Sequence, residues 1–224
     1  MLYLSDSLDF LIFISGKETN VNFLLERLFP SIIWSVKTEQ PSIYLTFDDG
    51  PHPIYTPKIL EILNRKNAKA SFFLIGNRAI KHKKIVQLIY EQKHTIGIHS
   101  QNHPYMIFKT TKTLQQEIDR SISIVTDITS QKPAYFRPPY GYFTPKLIKL
   151  VHDRGLQFVM WTHMTYDFAD KVSEKKIYCN IRKNMKRGTI LVFHDGHRNS
   201  NRTVSILPEI IDIIKDHNML CSNL

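Results

Sequence analysis

The stretch Ile43-Tyr44-Leu45-Thr46-Phe47-Asp48-Asp49-Gly50-Pro51 decides how this chain is read. Five aliphatic, β-branched or aromatic residues in a row read as a strand, and Asp-Asp-Gly-Pro stops it in a turn. Thr56-Pro57 then offers a capping Thr with Pro at the first helical position, followed by Ile59, Leu60, Ile62 and Leu63 at helical spacing. The same alternation recurs outward from here. Further strands are read over 70–75, 95–98, 134–136, 157–161, 189–193 and 219–221. Helices are read around Ile85 and Ile89, from a Thr113/Gln116 capping box, from Thr144-Pro145 to Gly155, from Ser173 to Met185 and over 203–217. Seven strands alternating with helices imply a parallel sheet, either open and doubly wound or closed into a barrel.

Residues 1–40 stand outside the alternation. Leu24, Leu25, Leu28, Phe29, Ile32, Ile33 and Trp34 suggest an amphipathic helix and a short extended piece packed on the remaining 41–224, with Trp34 as a packing anchor. The 224 residues suffice for one sizeable domain. Two cysteines, Cys179 and Cys221, cannot build a disulfide scaffold and show no metal-ligand pairing. No apolar run approaches the roughly 20 residues that cross a bilayer. The run at 8–14 carries Asp9 and has no preceding Lys or Arg, which argues against a secretory signal. The chain therefore reads as cytoplasmic, with the cell envelope left open. A net charge of +10 raises the question of a polyanionic partner. The Lys81, Lys83 and Lys84 cluster and a looser one over 171–187 lack the interleaved aromatics of a stacking surface, so a solvated basic surface is preferred to a nucleic-acid site.

Ligands of parallel sheets and barrels bind at the C-terminal ends of the strands. Five strand ends here carry polar, titratable groups: Asp48-Asp49, His99-Ser100-Gln101-Asn102-His103, Arg137-Pro138-Pro139-Tyr140-Gly141, Trp161 followed by Asp167, and His194-Asp195. His99 and His103, four apart on a helical turn, would share a metal ion. Asp48 or Asp49 would add an oxygen ligand, giving a set that suits catalytic zinc and also non-haem iron. Two adjacent carboxylates need different environments, so one can bind metal while the other stays free as a base. Arg137, its loop stiffened by Pro138 and Pro139, would hold a carboxylate's charge. The strand-end position of His194 favours a catalytic acid over a neutral core histidine.

These four ordered motifs, Thr46-Phe47-Asp48-Asp49-Gly50, His99 to His103, Arg137 to Gly141 and Val192-Phe193-His194-Asp195, resemble those of the polysaccharide deacetylase family. This is the NodB-homology or carbohydrate esterase family 4 group, and the resemblance covers roughly residues 42–222. It implies a distorted (β/α)7 barrel that removes acetyl groups from N-acetylated sugars with a divalent metal, usually zinc, cobalt being an alternative. By that resemblance Asp49, His99 and His103 match the metal ligands, Asp48 the base, Arg137 the residue that holds the base, and His194 the acid. Tyr140 matches a backbone N–H that helps the oxyanion, and Asp167 an acid that tunes the catalytic histidine. Trp161, Pro138 and Val192 match positions that contact substrate. The family's fourth motif often has Trp where Phe168 stands, its fifth usually has Leu at the place of Val192, and His163 reads as a groove or surface residue. The implied partner is an acetylated glycan, and a monomer is expected. O-acetyl esters, cyclic amides and a non-catalytic glycan-binding role are the rival readings.

Overall fold

A computed structural model describes residues 25–224 of the chain; the 8–14 run and Leu24 lie outside them. In chain order the elements are β1 (Ile32–Ile33), β2 (Ser42–Asp48), α1 (Tyr55–Arg65), β3 (Ser71–Leu74), α2 (Gly76–Lys81), α3 (Lys83–Glu91), β4 (Thr95–Ile98) and α4 (Thr111–Thr129). There follow β5 (Tyr135–Phe136), α5 (Pro145–His152), β6 (Gln157–Val159), β7 (His163–Met164), α6 (Glu174–Asn184), β8 (Ile190–His194), α7 (Ser200–Asp216) and β9 (Leu220–Ser222). The strands lie in the order β1-β6-β5-β4-β3-β2-β8-β7, all paired in parallel. Strand β2 is buried at every residue but Tyr44, as a parallel strand covered on both faces must be.

One run of chain curls the sheet into a barrel. It pairs with β5 as β6, passes through Met160, Trp161 and Thr162, and pairs with β8 as β7. The result is the distorted (β/α)7 barrel implied by the motifs. The strand read at 219–221 does not form a stave of its own. Strand β3 meets β2 only at Thr46–Asp48, and β9 fills the same edge lower down, at Ser42–Tyr44. Of the N-terminal segment, β1 adds to β6, and Trp34 is buried against Phe143 with its indole N–H donating to the Phe29 carbonyl at 3.3 Å. Leu28, read as part of the apolar face, is 60% exposed.

Helix starts separate local from tertiary signals. Thr144 caps α5 and Ser173 caps α6 as expected, each hydroxyl accepting a backbone N–H three residues on. Thr113 is not the cap of α4; Thr110 is, and Thr113 supplies the N–H it accepts at 3.2 Å. Thr56 does not cap α1, which begins at Tyr55. Its hydroxyl is claimed by tertiary partners: it accepts the His52 N–H and donates to Asp195. The helix read around Ile85 and Ile89 is α3, and a separate short helix, α2, which the sequence reading did not include, precedes it across His82.

Register partners in parallel strands share a face, so Asp48, Phe73, Gly97 and His194 all point to one side. Gly97 is where the layer is tightest. A Cβ there would lie 2.7 Å from the Phe73 ring, which has Arg137 4.1 Å above its centroid. Gly97→Ala should therefore destabilise the protein by about 1–3 kcal/mol through overpacking. Thermal unfolding should show a Tm several degrees lower; an unchanged Tm would mean that this layer has slack.

Candidate active site

Arg137 follows β5 and is fully buried. Its Nη1 donates to Asp48 Oδ1 at 2.8 Å and to Thr46 Oγ1 at 2.8 Å, and its Nη2 donates to the Met160 carbonyl at 3.0 Å. Thr46 in turn donates to the Leu191 carbonyl at 2.8 Å. Burial pulls the Arg137 pKa down against the Asp48 charge, but a guanidinium keeps its proton. Asp48 is thus oriented from one side by a fixed cation.

Asp49 faces elsewhere. Its backbone has φ 74°, which turns the chain at the strand end and sends neighbouring carboxylates in different directions. Asp49 Oδ1 lies 3.1 Å from His103 Nε2 and 3.7 Å from His99 Nε2. Ligand atoms of the three residues lie within 4.8 Å of one another. Burial alone would raise the Asp49 carboxyl. The His103 hydrogen bond and the charges of His194, His99 and His103 instead hold it well below the usual carboxylate range. Burial pushes His99 down to about 4 despite Asp48 and Asp49 nearby, so its imidazole is neutral. His99 Nδ1–H donates to the Arg137 carbonyl at 2.7 Å, which leaves the Nε2 lone pair facing Asp49. One ionised carboxylate and two imidazoles fit a borderline divalent metal.

His99 and His103 meet without a helix. Residues 99–103 form an irregular loop, with Ser100 at φ 63° and His103 at φ 58°. The loop is held by side chains: Ser100 Oγ accepts the His103 N–H at 2.9 Å, and Glu117 Oε2 accepts the N–H groups of Gln101 and Asn102 at 2.9 and 2.8 Å. Glu117 was not singled out from the sequence. Its signal was an acid three residues after Leu114 and one before Ile118, on the apolar stripe of α4.

His194 closes β8, paired in register with Asp48. Asp167, fully buried, lies 2.9 Å from His194 Nδ1 through Oδ1 and accepts the His194 N–H at 2.8 Å and the Thr203 hydroxyl at 2.6 Å through Oδ2. Burial opposes charge on His194, yet Asp167, with help from Asp49 and Asp48, raises its pKa to about 9. For Asp167, burial is outweighed by the His194 charge and by these hydrogen bonds, and its pKa falls.

The remaining residues line the same strand ends. Tyr140 is 46% exposed at φ 60°, with its ring edge-on to His103 at 4.4 Å and stacked on Tyr105 at 4.1 Å. Trp161 is buried and meets Gly141 so closely that a Cβ there would lie 2.5 Å from its indole. Pro138 and Val192 are buried. His163 is partly buried on β7, with its Nε2 inside the protein. Asp195, adjacent to the acid candidate, was also missed as a buried group; burial pushes it up to about 7, with the Thr56 hydroxyl bond opposing. One cavity, of about 410 Å3, lies away from this chemistry, against Thr95 at the other end of β4. A smaller one of about 280 Å3 opens directly onto Asp49 and His103.

Known proteins are similar to this chain in sequence and in fold. A family profile described as Polysaccharide deacetylase matches residues 35–159. A peptidoglycan-N-acetylglucosamine deacetylase of Bacillus cereus is 33% identical over 186 residues, 82% of this chain and 86% of that protein. A peptidoglycan-N-acetylmuramic acid deacetylase of Bacillus subtilis is 30% identical over 189 residues, 83% of this chain and 70% of its own. The crystal structure of the peptidoglycan N-acetylglucosamine deacetylase Bc1960, bound to an N-hydroxybenzamide, superposes with a TM-score of 0.81 at 29% identity, covering 85% of this chain and 89% of that one. By sequence and by fold, this chain belongs to the polysaccharide deacetylase family.

Proposed function

We propose that this chain hydrolyses the N-acetyl groups of amino sugars in a glycan of the peptidoglycan or chito-oligosaccharide type, with zinc held by Asp49, His99 and His103. The observation that carries the reading is the separation of two adjacent carboxylates. Asp48 is tied to Arg137 at 2.8 Å, while Asp49 faces the two histidines. A divalent ion held by those three groups polarises an acetyl carbonyl and acidifies a water.

The chain's own residues supply the rest. Asp48 takes the proton of the attacking water, and the Arg137 guanidinium, 2.8 Å away, keeps Asp48 aimed. The Tyr140 backbone N–H is assigned to the developing oxyanion. Pro138, Trp161 and Val192 form the apolar wall for the acetyl methyl. His194, its Nδ1 anchored on Asp167, carries a proton on Nε2 and gives it to the leaving nitrogen. An amine needs that proton to leave and a good alcohol does not, so a histidine raised to about 9 favours N-acetyl over O-acetyl substrates. Residues 41–224 are the catalytic unit, with 1–40 as an extension, acting as a monomer.

Acetate should be released from N-acetylglucosamine oligomers or peptidoglycan strands, be lost on chelation and return with added zinc. Asp49→Asn should lose bound metal, measured by elemental analysis. Asp48→Asn should keep its metal and lose turnover by about 100- to 10,000-fold. Equal metal content in the two variants would refute the division of labour.

The pH dependence follows from His194. It is charged and able to donate below about 9, so kcat/KM should fall on the basic side near that value. Asp167→Asn removes the charge that raises it, and the basic limb should move to lower pH. An unmoved limb would take His194 out of the acid role.

A further inference from the structure

Charge is shared unevenly between the two ends of the barrel. Its strands run parallel, so the segments that follow them lie at one end, the end that carries the triad. Lys58, Lys81, Lys109, Lys112, Lys171 and Lys176 are exposed in those segments. Among the described residues, none of the six has a carboxylate within ion-pair distance. The exposed acids of the same segments are Asp170, which is paired with Arg198, and Glu174. Surface cations elsewhere are matched: Arg65 meets Glu61, Lys66 meets Asp212 and Lys149 meets Asp153, in the later turns of helices toward the opposite end.

Several of these lysines also stand where a helix disfavours them. Lys58 is in the first turn of α1, Lys112 in that of α4 and Lys176 in that of α6. A helix N-terminus carries partial positive charge, so a cation there adds to it. Neither α1 nor α4 has an acid in that turn to offset it. Unpaired cations and helix N-termini thus make one end of the barrel positive, and that end draws anionic surfaces.

Apolar side chains at the same end narrow the partner. Ile54 follows β2 and is 54% exposed, and Phe108 follows β4 and is 77% exposed, beside Lys109. Tyr105 and Tyr140 are also exposed there. A hydrated polyanion has no use for a protruding isoleucine or phenylalanine, whereas the boundary between headgroups and acyl chains takes up apolar side chains and lysines together. Among the described residues, no helix is long and apolar enough to cross a membrane, so the contact stays at the bilayer surface. We propose that the triad-bearing end of the barrel docks on an anionic lipid bilayer, with Phe108 and Ile54 entering the headgroup layer and the lysines around them neutralising lipid charge. Docked in this way, the strand ends that carry Asp49, His99 and His103 face the bilayer. The docking does not depend on the deacetylase reading, and its test involves no turnover.

The test is co-sedimentation of the full chain with phosphatidylcholine vesicles and with vesicles that also contain phosphatidylglycerol. The protein should partition about tenfold or more in favour of the anionic vesicles, and the preference should shrink as salt rises. Lys109→Gln combined with Lys112→Gln should weaken that binding by about tenfold or more. Lys183→Gln combined with Lys186→Gln removes the same charge at the far end of α6 and should leave it nearly as it was. Phe108→Ser should weaken binding about tenfold by removing the inserted ring. Phe108→Trp should bind, with its emission shifted to the blue and shielded from iodide on anionic vesicles alone. Equal binding to the two kinds of vesicle, or equal losses in the two lysine pairs, would overturn the proposal. Full binding by Phe108→Ser, with an unshifted and unshielded Trp at 108, would also overturn it, since the surface would then read charge alone and serve a polyanion rather than a bilayer.

Discussion

Arg137 and Asp48 meet at 2.8 Å in a layer closed to solvent, and the rest of the site is arranged around that contact. A buried cation has lost its hydration, at a cost of several kcal/mol that only close partners offset. Asp48, Thr46 and the Met160 carbonyl supply them, with the Phe73 ring beneath the guanidinium. The partners come from three different strands or strand ends, so the pair can form only when the barrel is curled. Taking away either member would leave the other charge stranded, a loss of about 3–5 kcal/mol in comparable buried pairs. Space for the pair depends on Gly97, whose missing side chain lets Phe73 lie flat below it.

With Asp48 fixed inward, Asp49 must turn away, and φ 74° is how the backbone does so. That turn brings it to His99 and His103. The same logic governs the other buried acids. Asp167 is satisfied by His194, Thr203 and Thr165, and Glu117 by the loop that presents His103. Each carboxylate has its own set of donors, so several acids coexist in one barrel end without sharing a proton. Asp195 differs: one of its oxygens lacks a donor among the described residues and its pKa is pushed up to about 7.

Much of this was legible in the sequence, for identifiable reasons. Strand alternation located the five loaded strand ends, because buried parallel strands are short apolar runs that stop sharply. His99 and His103 were found by spacing, but the spacing suggested a helical turn; two positive φ values and a carboxylate from α4 do that job instead. Thr56 looked like a cap because local pattern cannot see that Asp195, far along the chain, takes its hydroxyl. Strand β1 and the β7 dipeptide are too short to show periodicity, and β9 sits low on β2 because β3 is only four residues long. Glu117 was hidden because an acid on a helix reads as solvated until the loop over it is known.

The central claim is that adjacent carboxylates are divided between a metal and a base. Anomalous scattering from a crystal of the zinc-loaded protein tests it most directly. One ion should appear bound by Asp49 and the Nε2 atoms of His99 and His103, with Asp48 outside its first shell and still hydrogen-bonded to Arg137. An ion ligated by Asp48, or no ion between the two histidines, would contradict it.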